Sequence, residues 1–330
     1  MPGNGESRSQ ARLSALGAYV PERVVTNDEL SSRVDTSDAW IVQRTGIRER
    51  RYAAEGEYTS DLCEKAVRAL ALQPGVRLDD VDHVIVGTTT PDLALPSVAC
   101  ILQHRLGLPS ARAFDLNATC AGFVYALELA DALVSSGRSN KVLICVGETL
   151  SKVIDFEDRS TCVLFGDGAA AVLVERDPEN PSFLAHAGGS DGAGGLHLYR
   201  SGLAEQLFGQ ALKGGGKVVQ NGREVYRWAV QTVSEAVPRL VERSGHRLDE
   251  VTWFVPHSAN QRILDSVCQR IGFPGAKVLE SLSCFGNTSA ATIPLALDRA
   301  RAAGKLRRGD LLLLYGFGGG LVHGGTLLRW

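Results

Sequence analysis

The chain has 330 residues, 44% of them hydrophobic, and 35 Lys and Arg balance 37 Asp and Glu for a formal net charge of −2. That is enough apolar material for one large domain or two ordinary ones, and the charge balance argues against a general affinity for nucleic acid or anionic membrane. Seven cysteines, at 63, 100, 120, 145, 162, 268 and 284, include no C-x-x-C pair, so neither a metal site nor a redox pair is expected, and free cysteines without a secretory signal point to the cytoplasm.

In chain order, residues 1–10 (MPGNGESRSQ) are polar and read as a disordered tail. Trp40 and Arg44, in VDTSDAWIVQRTGIRER at 34–50, stand four apart on one helical face, with Arg48, Arg50 and Arg51 adding charge nearby. An indole and a guanidinium can sandwich a purine, and arginines pair with phosphates; the plainer reading is a solvated basic turn. Leu62, Ala66, Ala69 and Leu70 predict a helix near 59–72. RLDDVDHVIVG at 77–87 reads as an acidic turn and a strand, ATCAGF at 118–123 opens a helix ending at Gly137, and KVLICVGE at 141–148 is a second strand. FGDGAAAVLVE at 165–175 is a Gly-rich turn and strand, and DPENPS at 177–182 marks a joint between halves 11–180 and 181–330.

The glycine-rich stretch 188–216 reads either as a modifier of access to a site or as a surface excursion. Val225, Trp228, Ala229, Val233, Val237 and Leu240 predict a helix that Pro238 should kink. RLDEVTWFVPH at 247–257, GNTSAA at 286–291 leading a helix to Gly304, DLLLLYGF at 310–317 and FGGGLVHGGTLLRW at 317–330 complete the chain. The uncharged run 311–328 is long enough to span a bilayer. Six glycines interrupt it, so strand–turn–strand is expected instead.

The chain repeats itself. RLDDVDHVIVG at 77 and RLDEVTWFVPH at 247 lie 170 residues apart, while Asp131 and Asp298, like Gly137 and Gly304, lie 167 apart. Each half runs strand, helix, strand, strand. Continuous apolar strands between helices imply sheets covered on both faces. The expected fold is therefore α/β, with duplicated βαβ halves in a five-layer αβαβα arrangement and shared central helices. Counting by 167 puts Cys120 and Asn287 in one slot, the N-terminus of the equivalent helix in each half, and His257 at a strand end. Equivalent slots converge near a pseudo-twofold axis. A cysteine at a helix N-terminus faces N–H groups that favour the nucleophilic thiolate, and His and Asn can both donate to one developing oxyanion or enolate. The bland alternatives are a buried small hydrophobe for Cys120, a structural His257 and an N-cap for Asn287.

Together with LFGDGAAA at 164–171, PHSANQRI at 256–263 and FGGG at 317–320, these segments stand in an order that resembles β-ketoacyl-acyl carrier protein synthase III, a thiolase-fold condensing enzyme that starts bacterial fatty acid synthesis. The similarity runs from about residue 12 to residue 330. The resemblance implies that Cys120 takes an acyl group from acyl-CoA, with an oxyanion hole from Cys120 and Gly319. His257 and Asn287 then stabilise the enolate formed when malonyl-acyl carrier protein loses carbon dioxide. It implies CoA contacts at Trp40, Arg44, Arg159, Gly222 and Asn260, an acyl pocket involving Leu95 and Phe317, and carrier-protein binding at Arg262. Coenzyme A enters as a substrate thioester, no other cofactor is required, and a homodimer is expected. Leu95 replaces an aromatic residue of short-chain members that reaches across the dimer interface, so a strict acetyl preference is not expected. PHSAN in place of PHQAN, and Phe285 before Gly286 in place of His, leave the triad intact.

The nearest alternative is a related ketosynthase or acyltransferase that uses the same triad to prime a specialised polyketide pathway. A thiolase is disfavoured because Gly318-Gly319-Gly320 stands where a second catalytic cysteine belongs. A dinucleotide oxidoreductase is disfavoured because no G-x-G-x-x-G follows the first strand.

Overall fold

A computed structural model describes residues 9–330; the tail expected at 1–10 lies outside them except for Ser9 and Gln10. The principal strands are β1 (Ala11–Tyr19), β2 (His83–Gly87), β3 (Arg112–Leu116), β4 (Lys141–Glu148), β5 (Gly168–Arg176), β6 (Phe183–Ser190), β7 (Trp253–Pro256), β8 (Leu311–Gly318) and β9 (Val322–Arg329). The principal helices are α1 (Thr59–Ala71), α2 (Val98–Arg105), α3 (Gly122–Ser135), α4 (Gly222–Arg243), α5 (Gln261–Ile271) and α6 (Thr292–Ala302).

The first sheet has the order β1-β5-β4-β2-β3 and the second β7-β8-β9-β6. Read from β1 and from β6 the two orders superpose. In each, an antiparallel edge strand pairs with the last strand of its half, which pairs antiparallel with the central strand, which pairs parallel with the next. The fifth strand of the first sheet, β3, is reduced in the second to a parallel bridge between Phe254 and Val278. Residues 177–182 cross from β5 in one sheet to β6 in the other.

Side-chain alternation builds the layers, because successive residues of a strand face opposite ways. Along β4, Val142, Ile144 and Val146 pack inward on α3, whereas Leu143 and Cys145 pack outward on α1 and α2. In β8, Leu312 and Leu314 face the central helices, and Leu311, Leu313 and Tyr315 face α4 and α5. The layers are therefore α1/α2, first sheet, α3/α6, second sheet, α4/α5: the five-layer αβαβα arrangement. The outer layers sit close where glycine permits. A Cβ on Gly17 of β1 would lie 2.5 Å from Ala66 O in α1, so only glycine lets strand and helix meet there.

The run 311–328 folds as the strand pair β8–β9, and no helix among the described residues is long and apolar enough to cross a membrane. Helix α4 continues through Pro238 from Gly222 to Arg243.

The structure corrects the repeat at one point. Short 3-10 turns precede both central helices, Thr119–Ala121 before α3 and Ser289–Ala291 before α6. Thr119 (φ 45°) and Ser289 (φ 52°) share an uncommon left-handed backbone. Asn117 Oδ1 accepts from Thr119 N–H, as Asn287 Oδ1 accepts from Ser289 N–H. The offset is therefore 170 here as well. Asn287 is the counterpart of Asn117, and Cys120 that of Ala290. The count of 167 fails because α6 has 11 residues and α3 has 14, so counting back from their C-termini slips by three residues.

Candidate active site

Cys120 ends the approach to α3, just beyond the C-terminal ends of the first sheet's parallel strands. Thr119 Oγ1 donates to Gly319 O at 2.8 Å, which ties the loop after β8 to the residue beside the thiol. His257 immediately follows β7, and its backbone N–H donates to Tyr315 O. Asn287 is held by backbone hydrogen bonds to Leu164 and Gly166. Cys120, His257 and Asn287 are all buried, and all line one cavity of about 470 Å³ together with Phe317 and Gly318. Sequence separations of up to 167 residues thus collapse into one site.

Each polar group has a defined environment. Asn287 Oδ1 is occupied by Ser289 N–H at 2.9 Å, so its NH2 is the end left to face the cavity. His257 Nδ1 lies 2.7 Å from Thr292 Oγ1, and Phe317 packs edge-on against the imidazole at 5.2 Å. Burial pushes the His257 pKa down to about 3, against a smaller opposing effect of a hydrogen bond to the Ser289 carbonyl, so the ring is neutral at physiological pH. Its tautomer depends on the single Thr292 hydroxyl proton. Donated to Ser289 O, 2.9 Å away, it leaves Thr292 to accept from Nδ1–H. Donated to Nδ1, it leaves Nε2 carrying the hydrogen. In the repeat, His257 and Thr292 correspond to Gly87 and Gly122; a Cβ on Gly122 would lie 3.8 Å from Gly87 Cα. The first half thus has bare backbone where the second carries an imidazole and its hydroxyl partner.

Cys120 departs from expectation. Burial raises its pKa to about 12, and the Ser289 hydroxyl, donating to Sγ at 3.4 Å, opposes this only in part. The helix N-terminus does not by itself yield a resting thiolate, because desolvation of the charged sulfur is the larger effect.

The outer part of the cavity is basic. Trp40, Arg44, Arg159, Arg223 and Arg262 line it, as do Gly222 and Asn260. The Trp40 ring lies under the Arg159 guanidinium at 4.9 Å and near that of Arg44 at 6.0 Å. Asn260 caps α5, its Oδ1 accepting from Arg262 N–H. Arg50 corrects the reading of a basic cluster at 48–51. It is fully buried, and its guanidinium donates to Val25 O, Asn27 Oδ1 and Val163 O. It braces the loop under the site and presents no charge to a ligand.

A smaller cavity of about 80 Å³ also reaches Cys120. Thr89, Leu150, Phe165, Leu198, Val218 and Gly319 wall it. Leu198 lines both cavities, and it belongs to a two-stranded ribbon, Leu198–Arg200 with Val218–Gln220, formed by the glycine-rich excursion. That segment is therefore part of the site wall. Leu95 is 82% exposed and lines neither cavity within the chain. Sequence reasoning missed Arg223, Leu198, Ser289 and Thr292. Arg223 had a local signal, one residue after Gly222 at the start of α4, whereas the others become neighbours of the site only through packing. Among the described residues no cluster of three His, Cys, Asp or Glu side chains is arranged to hold a metal ion.

Comparison with known proteins gives concordant results. The family model described as 3-oxoacyl-[acyl-carrier-protein] synthase III matches residues 114–192, and the model of the C-terminal part of that synthase matches residues 241–330. Beta-ketoacyl-[acyl-carrier-protein] synthase III 2 of Bacillus subtilis is 53% identical over 322 residues, 98% of this chain and 99% of that protein. The crystal structure of beta-ketoacyl-[acyl carrier protein] synthase III from Thermus thermophilus superposes with a TM-score of 0.93 at 47% identity, covering 96% of this chain and 98% of the other. The priming beta-ketosynthase of the R1128 polyketide biosynthetic pathway gives 0.91 at 36% identity, covering 100% and 98%.

Proposed function

The chain belongs to the 3-oxoacyl-acyl carrier protein synthase III family of thiolase-fold condensing enzymes, and on that premise we propose which of its residues carry the acyl transfer and condensation that start fatty acid synthesis. The supporting observation is the single cavity that has a thiol, an imidazole and a carboxamide at its buried end and an indole among four arginines at its outer end.

In this reading acyl-CoA binds with its adenine against Trp40 and Arg159 and its phosphates near Arg44, and its pantetheine arm passes Gly222 and Asn260. The thioester carbonyl meets Cys120, and the acyl chain enters the smaller cavity beyond it. Sulfur attacks, the oxyanion is held by the N–H groups of Cys120 and Gly319, and CoA leaves. Malonyl-acyl carrier protein then docks at Arg262. Loss of carbon dioxide leaves an enolate, which the neutral His257, in the tautomer with Thr292 donating to Nδ1 and hydrogen on Nε2, and the Asn287 NH2 hold until it attacks the acyl-Cys120 carbonyl. No carboxylate base is needed to form the carbanion, since decarboxylation supplies it. Coenzyme A is a substrate and no further cofactor takes part. We propose a homodimer in the cytoplasm, in which exposed Leu93 and Leu95 meet the partner and Leu95 closes the partner's acyl pocket.

The test uses the partial reactions. Incubation with acyl-CoA should add one acyl mass to Cys120, and malonyl-acyl carrier protein should then discharge it as a β-ketoacyl product. His257→Ala should keep the adduct but lose condensation by 10²–10³-fold, the usual worth of one such donor. An acyl group on any other residue, or full condensation by His257→Ala, refutes the assignment.

A further inference from the structure

A carboxyl that the mechanism does not use stands behind the wall of the smaller cavity. Glu148, the last residue of β4, is completely buried and lines neither cavity. The three threonines that follow β2 converge on it. Thr89 donates from N–H at 3.0 Å and from Oγ1 at 2.9 Å, Thr90 from Oγ1 at 2.5 Å and Thr88 from Oγ1 at 3.4 Å. None of these donors is a cation, and a carboxyl held only by neutral partners is costly to bury. The hydroxyl hydrogens show what it organises, because each threonine has one. Thr90 gives its hydrogen to Glu148, which leaves its oxygen to accept from Thr149 N–H at 2.9 Å. Thr59, at the start of α1, donates to Thr90 O at 2.6 Å and lies 3.1 Å from Thr149 Oγ1. Glu148 is thus the final acceptor of a buried network that joins the loop after β2 to the turn after β4.

Both joined segments wall the smaller cavity, Thr89 from the first and Leu150, next to Thr149, from the second. We propose that Glu148 is a specificity-determining positioning residue, which sets the room for the acyl chain by fixing Thr89 directly and Leu150 through Thr90 and Thr149. It touches no substrate; its reach from β4 decides where the wall stands. The far end of the loop is held separately, Asp92 accepting from Ser60 N–H at 2.9 Å and from Ser60 Oγ at 2.6 Å, so a change at Glu148 acts on Thr88–Thr90 and not on the whole loop. The cavity is only about 80 Å³, small enough for a wall shift of one bond length to change which acyl groups fit. Shortening Glu148 to Asp withdraws the acceptor by about 1.5 Å, the length of one C–C bond. Thr89 and Thr149 then follow it or lose their hold, and either way the wall yields to a longer acyl group.

This inference rests on the proposed acyl transfer, and its test is a ratio. Acylation of Cys120 by acetyl-, butyryl-, hexanoyl- and octanoyl-CoA, followed by mass spectrometry of the intact protein, gives kcat/KM for each primer. In Glu148→Asp the ratio of hexanoyl- to acetyl-CoA should rise at least fivefold, part of the roughly 10–200-fold that one methylene can carry in an apolar pocket. Thr90→Val removes the hydroxyl that bridges Glu148 and Thr149 N–H while keeping a branched side chain, and it should move the ratio the same way. A merely structural role would lower all four primers by one factor and leave the ratio alone. A ratio within twofold of wild type in Glu148→Asp therefore overturns the inference. Should Glu148→Asp fail to fold by circular dichroism, Thr90→Val decides by the same criterion. The two readings fail differently: a wild-type protein that takes no acyl group onto Cys120 from any primer overturns the proposed function, whereas wild-type acylation with an unmoved ratio overturns only the role of Glu148.

Discussion

Gly318→Ala tests how tightly the second half is fitted against the nucleophile. Gly318 is the last residue of β8, and a Cβ built on it lies 2.8 Å from Cys120 Cβ, 2.8 Å from Thr119 Oγ1 and 2.9 Å from Cys120 N. Ordinary carbon contacts begin near 3.5 Å, so each falls about 0.6–0.7 Å short at once. Two of the three atoms are backbone or Cβ and cannot swing aside. The strand end or the Cys120 turn must therefore shift by roughly that amount. Overpacking of this kind costs about 1–3 kcal/mol, which for a chain of this size lowers Tm by about 1–4 °C. Because a misplacement near 1 Å costs about 10²-fold in rate, Cys120 acylation should fall by one to two orders of magnitude while the protein stays folded at 25 °C. Rapid-quench mass spectrometry of the acyl-enzyme measures the rate and calorimetry the Tm. Gly275→Ala, where an added Cβ meets nothing within 4 Å, is the control and should change neither. Wild-type acylation and Tm in Gly318→Ala would mean that the strand end does not abut the nucleophile, and the geometry argued above would fail.

Three further outcomes are expected. Thr292→Val removes the hydroxyl 2.7 Å from His257 Nδ1; condensation should drop about 10–100-fold, acylation should stay within threefold, and Thr292→Ser should restore both, whereas equal loss in both steps would mark Thr292 as merely structural. Arg262→Glu places an acid in the first turn of α5, which the helix dipole favours, so Tm should hold while KM for malonyl-carrier protein rises about tenfold at low salt and less at high salt; an unchanged KM would remove Arg262 from the docking surface. With its folded pKa depressed to about 3, His257 binds fewer protons folded than unfolded between about pH 3 and 6.5, so its contribution to stability is present above about 6.5 and is lost as pH falls through that window. Its ring nitrogens, observed by 15N NMR, should report a neutral imidazole at pH 5, and a midpoint near 6.5 would contradict the buried environment.

Strands, helices and the duplication were legible because they are written locally. Continuous apolar runs such as KVLICVGE, the stripe from Leu62 to Leu70, the glycines within 311–328 and the paired RLDDV and RLDEV turns each carry their signal within a dozen residues. The chemistry of a thiol, an imidazole and a carboxamide in separate motifs was equally readable. What packing decided could not be read that way. A three-residue difference in length between α3 and α6 set which residues of the two halves are equivalent, and no local pattern announces it. Arg48, Arg50 and Arg51 look alike in sequence, yet Arg50 is sealed under the site, its two terminal nitrogens held by the carbonyls of Val25 and Val163 and by Asn27. The Cys120 thiol is governed by desolvation, which exists only because two sheets close around the shared helices. Residue types and periodicity are properties of the chain; burial, and the pKa values that follow from it, arise only when distant segments exclude water from one another.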